Sequence, residues 1–286
     1  MQIFDAIILG IVEGLTEYLP VSSTGHLIIT RFLLGMQNTD AQKAFDICIQ
    51  SGAILAVLGI YFQRVKGMAK DSLTWLADKE RAQHPLPNGL RLLLNMLIAF
   101  IPAVVLGLIF DDLIKHYLFD APVVTLTWAL GGLVILLYVR AQKKKGIKGQ
   151  GKALEELTYK NALTVGLMQC IAMCPGVSRS LMTMLGGLCT GLSIAAAVEF
   201  SFLLGLITLG GATVYDACKH GGEMVAAFGW WPIIVGTFTA WLSSVIAVKW
   251  MVGYLNRHSL AIFGWYRLAA ALVMLALILF ADFKFN

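Results

Sequence analysis

The architecture expected of this chain follows from the stretch Gly10-Ile-Val-Glu13-Gly-Leu-Thr-Glu17-Tyr-Leu-Pro20-Val-Ser22-Ser23-Thr24-Gly25-His26, which is polar within an otherwise apolar sequence. Glu13 and Glu17 are four residues apart, so a helix would project both carboxylates from one face. Three hydroxyls and an imidazole follow the proline. Because an ionisable side chain inside a membrane segment costs free energy, such a cluster indicates a functional site.

The composition of the chain indicates a membrane protein. Hydrophobic residues make up 58% of its 286 residues, charged residues make up 14%, and the mean hydropathy is +0.76. These values exclude an ordinary soluble domain and predict a single all-α integral membrane domain over residues 1–286. The net charge of +5 is concentrated in two loops, so we expect it to orient the chain in the bilayer and expect no nucleic-acid partner. Five cysteines without metal-site spacing predict neither a disulfide framework nor a zinc site.

Six apolar runs are long enough to cross roughly 30 Å of hydrocarbon as helices. They are 44–62, 92–110, 123–139, 194–215, 231–251 and 260–280. Segments 162–173 and 181–192 reach only about 18 Å each and flank a polar break. The N-terminal region repeats this pattern, with segment 3–19, a break and the short segment 27–34. We predict two re-entrant helical hairpins, because irregular backbone at membrane depth requires burial in protein or contact with a wet cavity.

Basic residues are distributed unevenly among the loops. Loops 63–91 and 140–160 are rich in lysine and arginine, whereas 111–122 and 217–228 carry one lysine each. The positive-inside rule then predicts that the two basic loops and segment 256–259 are cytoplasmic. Six spans alternate consistently in that arrangement, with both termini outside.

A weak internal repeat relates the two halves of the chain, roughly 1–140 and 160–286, which the basic loop 140–160 joins. An offset of 156 residues aligns Gly10 with Gly166 and Glu13 with Gln169. The same offset aligns the Val-Ser pair at 21–22 with the pair at 177–178. Each break precedes three spans, and an odd number of spans forces the second copy to enter from the opposite side. We therefore predict an inverted-topology repeat with a site near the midplane, where the two breaks meet.

The side chains expected to converge at the breaks are those of a phosphoryl-transfer site. Glu13 and Glu17 could hold a hard divalent cation, Mg²⁺ or Ca²⁺. Arg179 offers a planar fork of donors that matches phosphate oxygens. A hydroxyl or the imidazole of His26 could be the nucleophile or base. The hydroxyls expected in the anion-binding shell are Ser22, Ser23, Thr24, Ser178, Ser180 and Thr183.

Simpler roles are open for each of these groups. Glu13 and Glu17 could merely pair with Arg179 or be protonated, and His26 could be a structural hydrogen-bonding group. Ser22, Ser23 and Thr24 could merely cap a helix after the proline. Arg267 lies near the end of a span, where helix pairing or snorkelling is expected. A transporter or lipid flippase is the alternative function, because inverted repeats with broken helices are typical of secondary transporters. The acidic pair and the histidine favour hydrolysis over pure transport.

Two motifs, Glu13-Gly-Leu-Thr-Glu17-Tyr-Leu-Pro-Val-Ser-Ser-Thr-Gly-His26 and Pro175-Gly-Val-Ser-Arg-Ser180-x-x-Thr183, closely resemble the signatures of bacterial undecaprenyl-diphosphate phosphatases. The resemblance extends over nearly the whole chain. It implies hydrolysis of a polyprenyl diphosphate lipid, undecaprenyl diphosphate, to the monophosphate and inorganic phosphate, which recycles the lipid carrier of peptidoglycan synthesis and gives resistance to bacitracin. It also implies a multi-pass protein of the bacterial plasma (inner) membrane, with a cation-dependent site that opens to the outer face, and commonly a homodimer.

The resemblance also implies a role for individual residues. Glu13 and Glu17 match the acidic pair assigned to cation binding and catalysis, Ser23 matches the proposed nucleophile, and His26 matches the proposed base or alternative nucleophile. Arg179 matches the phosphate-binding arginine. The surrounding polar shell corresponds to Ser22, Thr24, Ser178, Ser180 and Thr183. Whether serine, histidine or water attacks the phosphorus is left open by these residues.

Overall fold

A computed structural model of the protein describes residues 1–36, 39–80, 83–118, 120–144 and 151–281. Within these ranges the chain forms eleven α-helices and no strand. The helices are α1 Ile3–Thr16, α2 Ser23–Leu33, α3 Asp40–Ile60, α4 Phe62–Ala77, α5 Asn88–Tyr117, α6 Ala121–Lys144, α7 Tyr159–Ile171, α8 Arg179–Cys189, α9 Ile194–Phe228, α10 Trp230–Leu255 and α11 Ala261–Phe280.

Six of the described helices, α3, α5, α6, α9, α10 and α11, are long and apolar enough to span a membrane. The prediction of six spans in an all-α membrane protein is thus confirmed. Two of them are longer than expected: α9 continues through 217–228 to Gly229, whose φ of 72° ends the helix, and α5 continues to Tyr117. Both extensions lack an internal proline that would stop the helix at the end of its apolar run.

The basic segment 63–91, expected to be a loop, contains the amphipathic helix α4. Met68 and Ser72 are four residues apart and are its buried side chains, and its buried face packs against α5. The carboxylate of Asp71 accepts a hydrogen bond from the N–H of Gly89 at the start of α5, at 3.0 Å. Charged residues dominate the sequence of segment 63–91, so the short apolar stripe of α4 does not stand out as a helical pattern. Among the basic residues used for orientation, Arg81, Lys145 and Lys148 lie outside the described residues.

The four short helices form two pairs, α1 with α2 and α7 with α8, and each pair is interrupted by a break. Helix α2 begins at Ser23, four residues before the expected start at 27, so the hydroxyl run is part of the helix N-terminus. The residues that precede α2 and α8, Ser22 and Ser178, have φ values of 71° and 77°. Positive φ is uncommon for a residue with a side chain, and these two serines are 156 residues apart, the offset at which the sequence predicts a repeat.

The first helix of each pair packs against a span of the other half of the chain. Helix α1 packs on α10, and α7 packs on α5. Gly10 makes the first contact possible, because a Cβ at that position would overlap the carbonyl oxygen of Gly236. Gly166 has the same role in the second contact, where a Cβ would lie 2.5 Å from the carbonyl oxygen of Ala99. Helix α3 packs on both α9 and α10, and α6 packs on α11, so these spans also join the two halves.

The segment that leads into α7 is fixed to both halves on the side of the basic loops. Arg64 contacts the carboxylates of Glu155 at 2.5 Å and Glu199 at 2.9 Å. The hydrogen bond from Arg64 holds the pKa of Glu155 below its usual range. The side-chain amide of Asn95 donates to the carbonyl of Leu157 at 3.0 Å. These contacts set where α7 begins, and therefore where its break lies.

We expect Gly10→Ala to lower the unfolding temperature, because the added methyl group would force α1 away from α10. Overpacking of this kind costs about 1–3 kcal/mol of unfolding free energy. The matched control is Gly59→Ala in α3, where no heavy atom lies within 4 Å of an added Cβ and alanine favours the helix. Thermal unfolding in detergent measures both variants, and equal unfolding temperatures would contradict the close packing of α1 on α10.

Candidate active site at the two helix breaks

The two breaks lie side by side, so that the C-terminal end of α1 and the N-terminal ends of α2 and α8 face a common volume. The hydroxyl of Ser180, at the start of α8, donates to the carbonyl of Leu19 in the first break at 2.8 Å. Near that contact, a cavity of about 230 Å³ separates the breaks. Its lining includes six of the residues singled out from the sequence: Glu17, Ser22, Ser23, Thr24, Ser178 and Arg179.

Glu17 links the two halves of this cavity. One carboxylate oxygen, Oε2, accepts a hydrogen bond from Ser23 Oγ at 2.5 Å. The other, Oε1, contacts Arg179 Nη2 at 3.2 Å. The pairing of a glutamate with Arg179 that the sequence left open is therefore present for Glu17. It places a carboxylate, a hydroxyl and a guanidinium within one hydrogen-bonded chain.

The guanidinium of Arg179 is held on three sides. Its Nη1 donates to the carbonyl of Ser201 at 3.0 Å, and its Cζ lies 5.2 Å from the ring centroid of Tyr18. Gly205 leaves room for it, since a Cβ there would lie 2.6 Å from Nη1. The Nε atom is buried without a hydrogen-bond partner. The fork is thus fixed in orientation while it retains donor capacity, as an anion-binding arginine requires.

Two helix N-termini add to the positive potential at the cavity. Helices α2 and α8 begin at Ser23 and Arg179, and the first N–H groups of a helix favour a bound anion. The hydroxyl of Ser178 caps α8 by accepting from the N–H of Leu181 at 3.3 Å, whereas Ser22 makes no side-chain cap to α2. The capping role that the sequence allowed for Ser22 is therefore absent, while Ser178, for which no capping was expected, caps its helix.

His26 faces away from the cavity and does not line it. Its Nδ1 lies 2.6 Å from the carbonyl oxygen of Ser22, and its Nε2 lies 2.7 Å from the hydroxyl of Tyr266. A carbonyl can only accept, so Nδ1 carries a proton, and a neutral imidazole then accepts from Tyr266 through Nε2. Both ring nitrogens are therefore engaged in this conformation.

Ser180 and Thr183 are fully buried and lie outside the cavity lining. Because Ser180 donates to Leu19, the 2.9 Å contact between the hydroxyls of Ser178 and Ser180 is donated by Ser178. The hydroxyl of Thr183 lies 2.6 Å from that of Ser201, on α9. The structure places these two residues where they tie the second break to its neighbours.

Glu13 is 1% exposed, and its Oε1 has no hydrogen-bond partner. A buried carboxylate oxygen without a donor costs free energy unless a proton or a cation satisfies it. No group of three or more His, Cys, Asp or Glu side chains within the described ranges is arranged to hold a metal ion. The acidic pair could still bind Mg²⁺ or Ca²⁺ together with phosphate oxygens, because Mg²⁺ is commonly held by one or two carboxylates plus substrate phosphates.

Gln50 and Cys174 also line the cavity, although neither residue was predicted from the sequence to belong to a site. Gln50 projects from α3, and its side chain is within hydrogen-bonding reach of Glu13. Cys174 lies in the second break. A lone glutamine in an apolar span was the one signal for Gln50, since an uncharged amide in a membrane helix needs a polar partner.

Comparison with known proteins gives consistent matches over nearly the whole chain. The model of the family described as bacitracin resistance protein BacA matches residues 6–273, a range that includes both breaks. An undecaprenyl-diphosphatase of Ectopseudomonas mendocina is 44% identical over 274 residues, covering 96% of this chain and 93% of that protein. Those of Polaromonas sp. strain JS666 and Albidiferax ferrireducens are 42% and 43% identical, each covering 96% of this chain and 94% of the relative.

We expect Arg179→Lys to weaken the binding of inorganic phosphate by about tenfold or more. The planar fork of arginine can contact Glu17, the Ser201 carbonyl and an anion at once, whereas the single ammonium group of lysine cannot. Line broadening in phosphorus NMR of the purified protein measures this affinity. The control is Arg257→Lys, at an exposed arginine outside the cavity lining, which should bind phosphate like the wild type. Unchanged affinity in Arg179→Lys would remove Arg179 from the anion site.

Proposed function

The chain belongs to the bacitracin resistance protein BacA family, and from this premise we propose that it hydrolyses undecaprenyl diphosphate to undecaprenyl phosphate and inorganic phosphate. This reaction recycles the lipid carrier of peptidoglycan synthesis. It also accounts for resistance to bacitracin, which sequesters the diphosphate. The proposal is supported by relatives of 42–44% identity that are named undecaprenyl-diphosphatase.

The observation that carries the proposal is the connection of Ser23, Glu17 and Arg179 at one cavity. The arginine and two helix N-termini favour a diphosphate headgroup, and the apolar surroundings favour a substrate whose tail remains in lipid. A carboxylate 2.5 Å from a serine hydroxyl supplies a base for a nucleophile. Transport of a phosphate lipid would need the arginine but not this base.

Ser23 and Glu17 can carry the chemical step. Ser23 Oγ attacks the terminal phosphorus as its proton passes to Glu17 Oε2, and the bond from that phosphorus to the bridging oxygen breaks. Undecaprenyl phosphate leaves and takes the proton from Glu17. The regenerated carboxylate then removes a proton from a water molecule that cleaves the phosphoserine, and the proton returns to Oγ as inorganic phosphate departs. Arg179 and the helix N-termini stabilise the negative charge on the transferring group.

A divalent cation, Mg²⁺ or Ca²⁺, is proposed as the cofactor, with Glu13 and Glu17 as its ligands. When bound, such a cation neutralises charge on the diphosphate oxygens. The unpartnered Oε1 of Glu13 supports this assignment. Glu13 itself lies outside the cavity lining, and Gln50, which lines the cavity, is within hydrogen-bonding reach of its carboxylate.

His26 is retained as an alternative base or nucleophile, as the family resemblance implies. In the present conformation its ring is held by Ser22 and Tyr266, so it would have to leave at least one of these partners before it could reach a phosphate. This constraint favours Ser23 as the attacking group. The polar shell is assigned to Ser22, Thr24 and Ser178 at the cavity, with Ser180 and Thr183 supporting the break behind it.

We further propose that α1–α2 and α7–α8 are re-entrant hairpins in an inverted-topology repeat of two halves, 1–140 and 160–286. Support comes from the positive φ of Ser22 and Ser178, the close contacts at Gly10 and Gly166, and the exchange of partner spans between the halves. The two serines are separated by 156 residues, and so are the two glycines. Helix α7, with 13 residues, is about 20 Å long and too short to cross the hydrocarbon.

The plasma membrane is proposed as the location, with the linker 140–160 in the cytoplasm and the cavity open to the outer face. The excess of basic residues in loops 63–91 and 140–160 supports a cytoplasmic linker, and the family resemblance supports a cavity that opens to the outer face. A homodimer, which the family resemblance implies, stays a prediction, as does the absence of a nucleic-acid partner.

We expect Ser23→Ala to reduce phosphate release from undecaprenyl diphosphate by about 10³-fold or more, because the attacking oxygen is removed. Release by the wild type should cease with a chelator and return with Mg²⁺ or Ca²⁺. The control is Ser51→Ala, since that hydroxyl donates only within α3, to the carbonyl of Cys48 at 2.6 Å. Wild-type rates in Ser23→Ala would exclude a phosphoserine intermediate at that residue.

We expect Cys174 to be accessible from outside the cell, because it lines the proposed outward-facing cavity. In a variant that retains Cys174 alone, a membrane-impermeant maleimide should label intact cells, and inorganic phosphate should slow the labelling. The matched variant retains Cys189 alone, at the opposite end of α8 beside the cytoplasmic linker, and should react only after permeabilisation. The reverse pattern would mean that the cavity opens to the cytoplasm.

A further inference from the structure

Arg267 is fully buried and is the only charged residue of α11. Its guanidinium contacts four main-chain carbonyl oxygens and no carboxylate of the described residues. Two of these carbonyls belong to α6: Nη2 donates to Thr127 at 3.0 Å, and Nε lies 3.4 Å from the oxygen of Trp128. Arg267 lies outside the lining of the polar cavity.

The other two carbonyls belong to the two breaks. Nη1 of Arg267 lies 3.3 Å from the oxygen of Pro20, and Nη2 donates to Gly176 at 2.8 Å. Pro20 and Gly176 are separated by 156 residues, so the same guanidinium contacts equivalent positions of the two repeats. Each position is two residues before the serine with positive φ, and that serine directly precedes the next helix.

The contacts with Pro20 and Gly176 satisfy carbonyls that lie outside any helix and so have no helical partner. Where a helix is interrupted at membrane depth, free carbonyl groups find no water and need an internal donor. Arginine is suited to this task because it has five donors in a fixed plane and no acceptor. A lysine has one nitrogen with three donors, so it cannot contact four carbonyls that belong to three separate segments.

We propose that Arg267 is a positioning residue that holds the two breaks in register and thereby sets the distance between Ser23 and Arg179. This inference rests on the proposed hydrolase function. Pro20 lies three positions before Ser23, and Gly176 lies three positions before Arg179. Any displacement of the two carbonyls is therefore transmitted over a short segment to the atoms that bind and attack the diphosphate.

The neighbouring Gly131 offers a way to disturb this contact while Arg267 remains present. A Cβ at Gly131 would lie 2.7 Å from both Cζ and Nε of Arg267, so Gly131→Ala displaces the guanidinium from the carbonyls. Alanine is a better helix former than glycine, so α6 itself is not weakened. Gly253→Ala is the matched control, because no heavy atom lies within 4 Å of a Cβ added there.

The test measures kcat, KM and the unfolding temperature of purified wild type, Arg267→Lys, Arg267→Met and Gly131→Ala with undecaprenyl diphosphate. We expect kcat to fall at least about 100-fold in the two Arg267 variants and about tenfold in Gly131→Ala, with KM within about threefold of the wild type. Arg31→Lys provides a second control, since Arg31 forms a partly buried pair with Asp46 at 2.5 Å, away from the cavity. It should lose stability without losing kcat.

Wild-type kcat in folded Arg267→Met and in Gly131→Ala would overturn the positioning role, whatever the change in unfolding temperature. If the Arg267 variants do not fold, Gly131→Ala decides: wild-type kcat in that variant contradicts the proposal, and a loss in kcat with unchanged KM supports it. The wild type is assayed in the same series. A wild type without phosphate release would contradict the hydrolase function itself, which separates that failure from a failure of the Arg267 inference.

Discussion

The constraint on which this structure depends is that backbone polar groups at membrane depth must be satisfied within the protein. Two helices end inside the protein, at 16 and at 171, and each break leaves carbonyl groups without helical partners. Arg267, Ser180 and Thr127 donate to the carbonyls of Pro20, Gly176, Leu19 and Pro175. The groups that compensate the breaks therefore also fix the breaks against each other. Stability and site geometry come from the same contacts.

The site draws on both halves of the chain, and neither half holds it alone. The first half contributes the proposed base and nucleophile, Glu17 and Ser23, and the second half contributes Arg179, the proposed anion-binding residue. The 3.2 Å contact between Glu17 and Arg179 joins them. Because both groups are largely buried, removing either one leaves the other as an uncompensated charge in a poorly solvated place.

Much of this arrangement was predictable, because a small number of physical constraints determines where helices form in a membrane protein. The six spans are predicted by the length and hydropathy of the apolar runs, and the two breaks are predicted by polar residues within otherwise apolar segments. The acidic pair, the hydroxyls and Arg179 could be selected for the same reason. The role of Arg267 could not be predicted. The sequence places this residue near a span end and gives no sign that α6 and the two breaks contribute carbonyls around it. The orientation of His26 toward Tyr266 and the position of Gln50 beside Glu13 likewise depend on packing between distant parts of the chain.

We propose that Ser23 and Arg179, from opposite halves of the chain, act on one phosphate group. An experimental structure of the protein with orthovanadate and Mg²⁺ tests it most directly. We expect vanadium density between the two breaks, with Ser23 Oγ and the Arg179 guanidinium both within hydrogen-bonding or covalent distance of the oxyanion, and with the cation at Glu13 and Glu17. Vanadate bound away from Arg179, or breaks that are separated by lipid, would contradict it.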